Sequence, residues 1–420
     1  SNCRVTQVNS GRVVTVPGSK SIANRALVCA ALADSDSVIS NCAPGDDTEA
    51  MTTALVKLGV KVSRDNDTVS VSGRLDLDDS TNLSLDAKLA GTTSRFLTAL
   101  CALRNGTTTI DGSEPLRRRP MAGLHDALRQ LGASVGSRGQ SGCLPVEVAR
   151  GANWGAQIEI DASMSSQFTS ALMMIAPYFP RGLEIELKEN VVSRGYIEMT
   201  IGVMRAFGAQ TDISGNKIWI APGRYSGTSY QVEPDASSAS YPLAAVAISG
   251  GQVTIAGLTR NSLQSDVAFA DLLAQMGCKV SQSSAGLQVS RDSNQKLNGI
   301  TVDMSQISDC VPTLAVVALF AQSSTVITGV EFIRAKESDR IGDLAGELRK
   351  LGANIKETQD GMVISPSSLS AASLATHHDH RLAMAFGLLS RGLPGLVVQN
   401  PEVVSKSWPD YFDALKAFYF

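Results

Sequence analysis

Leu55-Val56-Lys57-Leu58-Gly59 is a helix end written in five residues: an apolar residue, a second one three positions on, and a glycine that stops the turn. The phrase returns as Leu128-Arg129-Gln130-Leu131-Gly132 and Met204-Arg205-Ala206-Phe207-Gly208. It returns again as Leu273-Ala274-Gln275-Met276-Gly277 and Leu348-Arg349-Lys350-Leu351-Gly352. The glycines lie 73, 76, 69 and 75 residues apart, so the chain is built from copies of one unit. Self-similarity this regular sets the architecture.

Upstream of the first glycine, Met51, Ala54, Leu55 and Leu58 fall at i, i+3, i+4 and i+7, one face of a helix. Ile341, Leu344, Ala345, Leu348 and Leu351 repeat the stripe, as do Phe269, Leu272, Leu273 and Met276. Downstream, alternation takes over: Val60-Lys61-Val62, the turn Asp65-Asn66-Asp67, then Val69-Ser70-Val71. Thr211-Asp212-Ile213, Ser214-Gly215-Asn216 and Ile218-Trp219-Ile220 do the same. Each copy therefore predicts helix, strand, turn, strand. A period of roughly seventy residues leaves room for another helix and strand, expected after Ser21, Thr92, Ser165, Ser237 and Cys310. Five copies and a partial one from Pro409 predict two domains of three units each, with a join in the Gly- and Ser-rich stretch from Gly223 to Ser229.

At 420 residues the length fits two or three domains, and 43% hydrophobic with 18% charged residues is globular. The seven cysteines are scattered and none forms a CxxC pair, which predicts a reducing compartment with neither a zinc site nor a disulfide framework. A long uncharged stretch, Cys310 to Val330, is interrupted by Gln322-Ser323-Ser324. That is too short an apolar run to cross a bilayer, and predicts a buried helix followed by a strand. The segment opening at Ser1 has no look of a signal or transit peptide. A net charge of −3, 5% aromatics and a single basic run, Arg117-Arg118-Arg119, argue against nucleic-acid and membrane partners.

Local charge is another matter. In Val16-Pro17-Gly18-Ser19-Lys20-Ser21-Ile22-Ala23-Asn24-Arg25 a Pro-Gly turn opens a Ser-rich helix start, with Arg25 one turn beyond Ser21. Free backbone N–H groups, the helix dipole, a lysine and two hydroxyls together suit a phosphate or carboxylate. The competing reading is an ordinary capped helix with Lys20 and Arg25 solvated. No glycine precedes a lysine and no two glycines stand one residue apart, which removes the Walker loop and the dinucleotide fingerprint. No GxSxG elbow occurs either. Similar clusters open other units. They are Ala90-Gly91-Thr92-Thr93-Ser94-Arg95-Phe96, Arg119 before a helix-starting Pro120, and the hydroxyl–amide group Ser163, Ser165, Ser166 and Gln167. Two more are Lys336-Glu337-Ser338-Asp339-Arg340, opening the helix that ends at Gly352, and His378-Asp379-His380-Arg381 before Leu382.

On these motifs, with Asp235-Ala236-Ser237-Ser238-Ala239, Asp379-His380-Arg381-Leu382-Ala383-Met384 and Lys406-Ser407-Trp408-Pro409, the chain resembles the 5-enolpyruvylshikimate-3-phosphate synthases of the enolpyruvyl transferase family. The match keeps motif order over almost the whole length. The resemblance implies an α/β fold of two similar domains, each with three βαβαββ units in an inside-out α/β barrel, and a site in the interdomain cleft. Residues 14–228 would form the first domain, and 1–13 with 229–420 the second. It implies transfer of the enolpyruvyl group of phosphoenolpyruvate to the 5-hydroxyl of shikimate-3-phosphate, with no metal or organic cofactor. It also implies a monomer in a bacterial cytoplasm or, for a processed plant chain, a plastid stroma.

By the same resemblance Lys20, Arg119, Arg340, Arg381 and Lys406 surround phosphoenolpyruvate, with Gly91 and Gln167 beside it. Lys20, Ser21, Arg25, Ser165, Ser166, Gln167, Ser193, Asp309 and Lys336 hold shikimate-3-phosphate. Cations are what two phosphates and two carboxylates require, and arginine's planar fork suits both. Addition followed by elimination needs a base near the hydroxyl and an acid–base group near C3, assigned to Asp309 and Glu337, with Lys20 as a further proton carrier. Three positions depart from the family pattern: Leu89 for Asn, Phe96 for Pro, and Phe332 where a polar residue commonly touches shikimate-3-phosphate. Gly91 is kept, which implies sensitivity to glyphosate. A sibling transferase acting on UDP-N-acetylglucosamine should carry a reactive cysteine near Arg117, and none lies there. The other alternative is a non-enzymatic phosphate-binding repeat protein. His378-Asp379-His380 lacks further ligands to complete a metal site, and His125 reads as a packing residue in a helix stripe.

Overall fold

A computed structural model describes residues 5–8, 11–161, 166–188 and 194–419. The recurring five-residue phrase proves to be a Schellman ending. Gly59, Gly132, Gly208, Gly277 and Gly352 all have left-handed φ, between +87° and +112°. In four copies the N–H after the glycine reaches back to the carbonyl of the residue that leads the phrase: Val60 to Leu55, Ala133 to Leu128, Ala209 to Met204, Cys278 to Leu273. That bond satisfies a helix-end carbonyl and turns the chain into the next strand.

The chain divides into two compact units, residues 18–232 and residues 1–17 with 233–420. In the first, three four-stranded sheets share one order. Leu83–Asp86 runs parallel to Thr108–Asp111, which pairs antiparallel with Val146–Ala149, and Ser134–Ser137 closes the hairpin at the edge. Gln157–Ile160, Leu183–Leu187, Lys217–Ile220 and Thr211–Ser214 repeat it. So do Ser229–Gln231, Ser37–Ser40, Thr68–Ser72 and Lys61–Asp65. The second unit repeats it with Thr301–Asp303, Thr325–Thr328, Met362–Ser365 and Asn354–Glu357. A five-stranded version adds Val5–Val8 beside Gly11–Val14, Gly251–Ala256, Gly286–Arg291 and Lys279–Ser283. The last copy is reduced to Ser373–Leu374 paired with Val397–Val398. No sheet among the described residues closes into a barrel.

Two strands are exchanged. Gly11–Val14 precedes the helix Lys20–Leu32 in sequence but pairs with Gly251–Ala256; Ser229–Gln231 precedes the helix Ala236–Ser249 but pairs with Ser37–Ser40. Each unit thus completes a sheet with a strand from the far side of the chain.

Each copy places an apolar helix between its first two strands. These are Lys20–Leu32, Gly91–Cys101 and Ser166–Ile175 in one unit, and Ala236–Ser249, Val311–Ala318 and His380–Gly387 in the other. Val311–Ala318 and His380–Gly387 are buried on every side, as helices without a polar face must be. Their N-termini carry the charged motifs. The striped helices, such as Asp46–Lys57 and Gly342–Arg349, keep one face polar. No described helix is long and apolar enough to cross a membrane.

Three local expectations shift. Pro120 lies before the helix Ala122–Gln130, whose N-cap is Met121. Lys336–Arg340 forms a turn ahead of the helix Gly342–Arg349, and Asp339 Oδ1 accepts the N–H groups of Ile341 at 3.0 Å and Gly342 at 2.8 Å, as a capping carboxylate does. His380 and Arg381 stand inside the helix His380–Gly387, with Asp379 as its cap.

Candidate active site

In the unit 1–17 with 233–420, Asp379 organises the charged groups. Its Oδ1 accepts the N–H of Arg381 at 2.8 Å, a capping bond that seats the helix. The same buried carboxylate holds Arg340, whose Nε meets Oδ2 at 2.7 Å and whose Nη2 meets Oδ1 at 3.2 Å; Ser338 Oγ also donates to Oδ2, at 2.9 Å. Arg340 is 2% exposed, and its remaining donors reach Asp309 Oδ1 and Glu337 Oε2, each at 2.9 Å. Arg381 Nη2 meets Asp309 Oδ2 at 3.2 Å, and Lys406 pairs with Glu337 Oε1. Lys336 Nζ sits 5.9 Å from the centre of the Phe332 ring, a cation–π contact that gives this departure from the family pattern a role. Four cations and three carboxylates are thus gathered from the segments around 309, 336–340, 379–381 and 406.

Burial opposes the charge on Asp309, but Arg381, Lys336 and Arg340 outweigh it and hold the carboxyl far below the ordinary carboxylate range. A carboxylate held so low is a poor proton acceptor while those cations face it. Behind it, Asp266 is pushed up to about 6, first by burial and then by the charge of Asp309, although Ser237 Oγ donates to its Oδ2. A carboxyl raised in the folded state binds its proton there between the unfolded value near ~4 and about 6. Stability from this group therefore falls as pH rises through that window and stays low above it. Asp266→Asn is expected to raise the melting temperature at pH 7.5 by roughly 2–4 °C and to change it little at pH 4. Equal shifts at both pH values would count against this origin.

In the unit 18–232, Ser19 caps the helix Lys20–Leu32 through the N–H of Ile22. Lys20 Nζ pairs with the buried Asp47 at 3.0 Å, and Thr93 Oγ1 donates to the Asp47 carbonyl at 2.9 Å, tying two motif helices together. Arg25 is 1% exposed. Its Nε donates to Thr200 Oγ1 at 2.7 Å, its Nη1 to the Ser21 carbonyl at 2.8 Å and its Nη2 to Ser170 Oγ at 3.1 Å. Burial lowers its pKa to about 10. Phe96, the second departure, lies with its ring centre 5.1 Å from the Arg25 guanidinium carbon. Leu89, the third, is 43% exposed. Arg95 Nη1 donates to Gln167 Oε1. The Arg119 guanidinium lies against the backbone of Gly91, where a Cβ would come 2.8 Å from its Cζ.

A sequence profile of the family described as EPSP synthase (3-phosphoshikimate 1-carboxyvinyltransferase) matches residues 6–415. The chain belongs to the EPSP synthase family. It is 40% identical over 403 residues to the 3-phosphoshikimate 1-carboxyvinyltransferase of Trichormus variabilis, covering 95% of this chain and 94% of that protein. The protein of the same name from Methanosphaerula palustris is 39% identical over 409 residues, covering 96% of each. The solved EPSP synthase structure from Acinetobacter baumannii shares the fold, with a TM-score of 0.80 at 24% identity over 98% of this chain and 97% of that one.

Within this EPSP synthase family chain, Asp309, Lys336, Glu337, Arg340, Arg381 and Lys406 come together in one unit. Lys20, Ser21, Arg25, Gly91, Arg119, Ser166 and Gln167 all belong to the other unit, 18–232. Ser166 is the buried first residue of the helix Ser166–Ile175. Ser165 and Ser193 lie outside the described residues. Sequence reasoning missed Asp47 as the partner of Lys20, and it placed Asp379 in a charged helix-opening motif, weighed also as a metal motif, without assigning it a role of its own. Asp379 instead serves Arg340 and Arg381, and no group of three or more potential ligands stands ready for a metal among the described residues. The signal for Asp379 was present in its place directly before an apolar helix, where an aspartate caps. Asp47 had no comparable signal, since its partner is 27 residues away. His125 is fully buried, and burial lowers its pKa to about 4, in keeping with a packing role.

Proposed function

We propose that this chain transfers the enolpyruvyl group of phosphoenolpyruvate to the 5-hydroxyl of shikimate-3-phosphate and releases phosphate, a step toward the aromatic amino acids. The observation that carries the reading is the Arg340 cluster: a member of this family gathers four cations at motif positions and already balances them with carboxylates. Anionic substrates compete for those cations. Phosphoenolpyruvate is assigned to Lys20, Gly91, Arg119 and Gln167 with Arg340, Arg381 and Lys406. Shikimate-3-phosphate is assigned to Lys20, Ser21, Arg25, Ser165, Ser166, Gln167 and Ser193 with Asp309 and Lys336.

The electrostatics suggest how Asp309 becomes a base. Once a phosphate or carboxylate draws Arg381 and Lys336 away, the hold on its charge weakens and its proton affinity rises. It then accepts the proton of the attacking 5-hydroxyl as C2 of phosphoenolpyruvate is attacked and C3 is protonated. Glu337, between Arg340 and Lys406, gives C3 its proton in the addition and, as the resulting carboxylate, takes a C3 proton back as the C2–O bond to phosphate breaks, with Lys20 as a further proton carrier. The cations meanwhile stabilise the charge that collects on the departing phosphate.

The UDP-N-acetylglucosamine alternative loses its chemistry. All six described cysteines are buried, and burial pushes Cys29 and Cys101 up to about 12, so they are poor nucleophiles. The proposal carries with it a monomer working in a bacterial cytoplasm or plastid stroma, without nucleic-acid or membrane partners. Phosphate release should require both substrates and survive EDTA. Release from phosphoenolpyruvate alone, or none from a folded protein, would overturn the reading.

A further inference from the structure

Glu347 is a buried carboxylate in the middle of the helix Gly342–Arg349, only 4% exposed and away from the charged groups proposed to meet substrate. Both of its oxygens are engaged. Oε2 accepts the backbone N–H of Ala375 at 2.9 Å and Lys350 Nζ at 2.6 Å; Oε1 lies 2.8 Å from His377 Nε2. Burial opposes the charge, but Lys350, His377 and the Ala375 N–H outweigh it, so the carboxylate accepts and the His377 ring nitrogen donates.

Both contacts fall on the turn that leads to Asp379. That turn is unusual: His377 and His378 are consecutive residues with left-handed φ, +50° and +57°. Side-chain-bearing residues avoid this region, and two in a row persist only where the surroundings over-determine them. The turn is held on one side by the Glu347 bonds to Ala375 and His377. On the other, the Asp379 N–H donates to the Thr376 carbonyl at 2.8 Å, and Asp379 itself is clamped by Arg340 and Ser338. Arg340 stands just before the helix that carries Glu347, so one rigid segment grips the turn at two points about two helical turns apart.

We propose that Glu347 and His377 are positioning residues: they fix the strained turn at 375–379 so that Asp379 presents Arg340 and Arg381 in the geometry phosphoenolpyruvate needs. This rests on the reading of those two arginines as phosphoenolpyruvate ligands. Neither residue touches the arginines; both act through Asp379. In Glu347→Gln one oxygen becomes an N–H donor, so the Ala375 N–H and His377 can no longer both be accepted together with Lys350.

The test is steady-state phosphate release by the full chain, varying each substrate at saturating levels of the other, for wild type, Glu347→Gln, His377→Ala and His377→Gln. Glu347→Gln and His377→Ala should raise KM for phosphoenolpyruvate on the order of tenfold, with kcat and KM for shikimate-3-phosphate within about threefold. His377→Gln, which keeps a donor, should recover most of the loss. An unchanged KM for phosphoenolpyruvate in either folded variant overturns the inference, as does an equal loss for both substrates. If Glu347→Gln fails to fold, His377→Ala decides. Hydrogen exchange of the 375–379 amides needs no turnover and should quicken in the variants; unchanged exchange also overturns the inference. A wild type without two-substrate release would instead count against the proposed function.

Discussion

Arg340→Lys is expected to lower kcat/KM for phosphoenolpyruvate by about three orders of magnitude and to depress the melting temperature. Arg340 joins three carboxylates through four bonds of 2.7 to 3.2 Å, and it does so from full burial. A lysine keeps the charge but has one compact ammonium. It cannot span Asp379, Asp309 and Glu337 together. At least one buried carboxylate then loses its partner, a loss of about 3–5 kcal/mol in comparable sites. The kinetic effect follows from the same geometry, because the fork that orders the carboxylates is assigned to the substrate's phosphate or carboxylate. Steady-state kinetics beside thermal denaturation would separate the two. A lysine enzyme within tenfold of wild type would remove Arg340 from the site.

Gly91→Ala is expected to raise KM for phosphoenolpyruvate by about tenfold and to weaken inhibition by glyphosate more strongly still, with kcat little changed. The added Cβ would lie against Nη1 of Arg119 and 2.8 Å from its Cζ, closer than such atoms approach. The obstacle is the tip of a flexible side chain, so the helix Gly91–Cys101 survives and Arg119 moves. A displaced Arg119 still carries its charge; what it loses is aim. Inhibition curves at several phosphoenolpyruvate concentrations would show whether substrate and inhibitor part company. A variant with unchanged KM and inhibition would take Gly91 away from the phosphoenolpyruvate position.

Much of this was legible because it is local. The bond from Val60 to Leu55 links residues five apart, and its ingredients, a leucine, a second apolar residue and a glycine, stand side by side in the sequence. The caps Ser19 and Asp379 are equally local, each ahead of an apolar helix. What stayed hidden depends on distance. Asp47 reaches Lys20, Ser170 and Thr200 reach Arg25, and Glu347 reaches His377 through the folded core, and no periodicity announces such pairs. Phe96 reads as a replaced proline and Phe332 as a lost polar contact against the family pattern, yet each places an aromatic face near a cation, Arg25 or Lys336. Substitution of a polar contact by a ring that steers its neighbour is invisible until the neighbour is seen. Lys336–Arg340 reads as a helix start because a charged run before an apolar stripe usually is one; in the structure it is the turn just ahead of that helix, and Asp339 accepts the first amides as a cap does.

The exchanged strands carry a consequence for the order in which this chain is made. Gly11–Val14 leaves the ribosome long before its neighbour Gly251–Ala256, which emerges more than half of these 420 residues later. At about 5–20 residues per second, that is a delay of roughly 10–50 s. Through that interval the strand has its hairpin partner Val5–Val8 on one side, but its other edge has no native neighbour. Likewise Ser37–Ser40 waits for Ser229–Gln231 before its sheet is complete. The nascent protein therefore travels with open edges of its own design, exposed to whatever chaperone or neighbouring chain arrives before the rest of its sequence does.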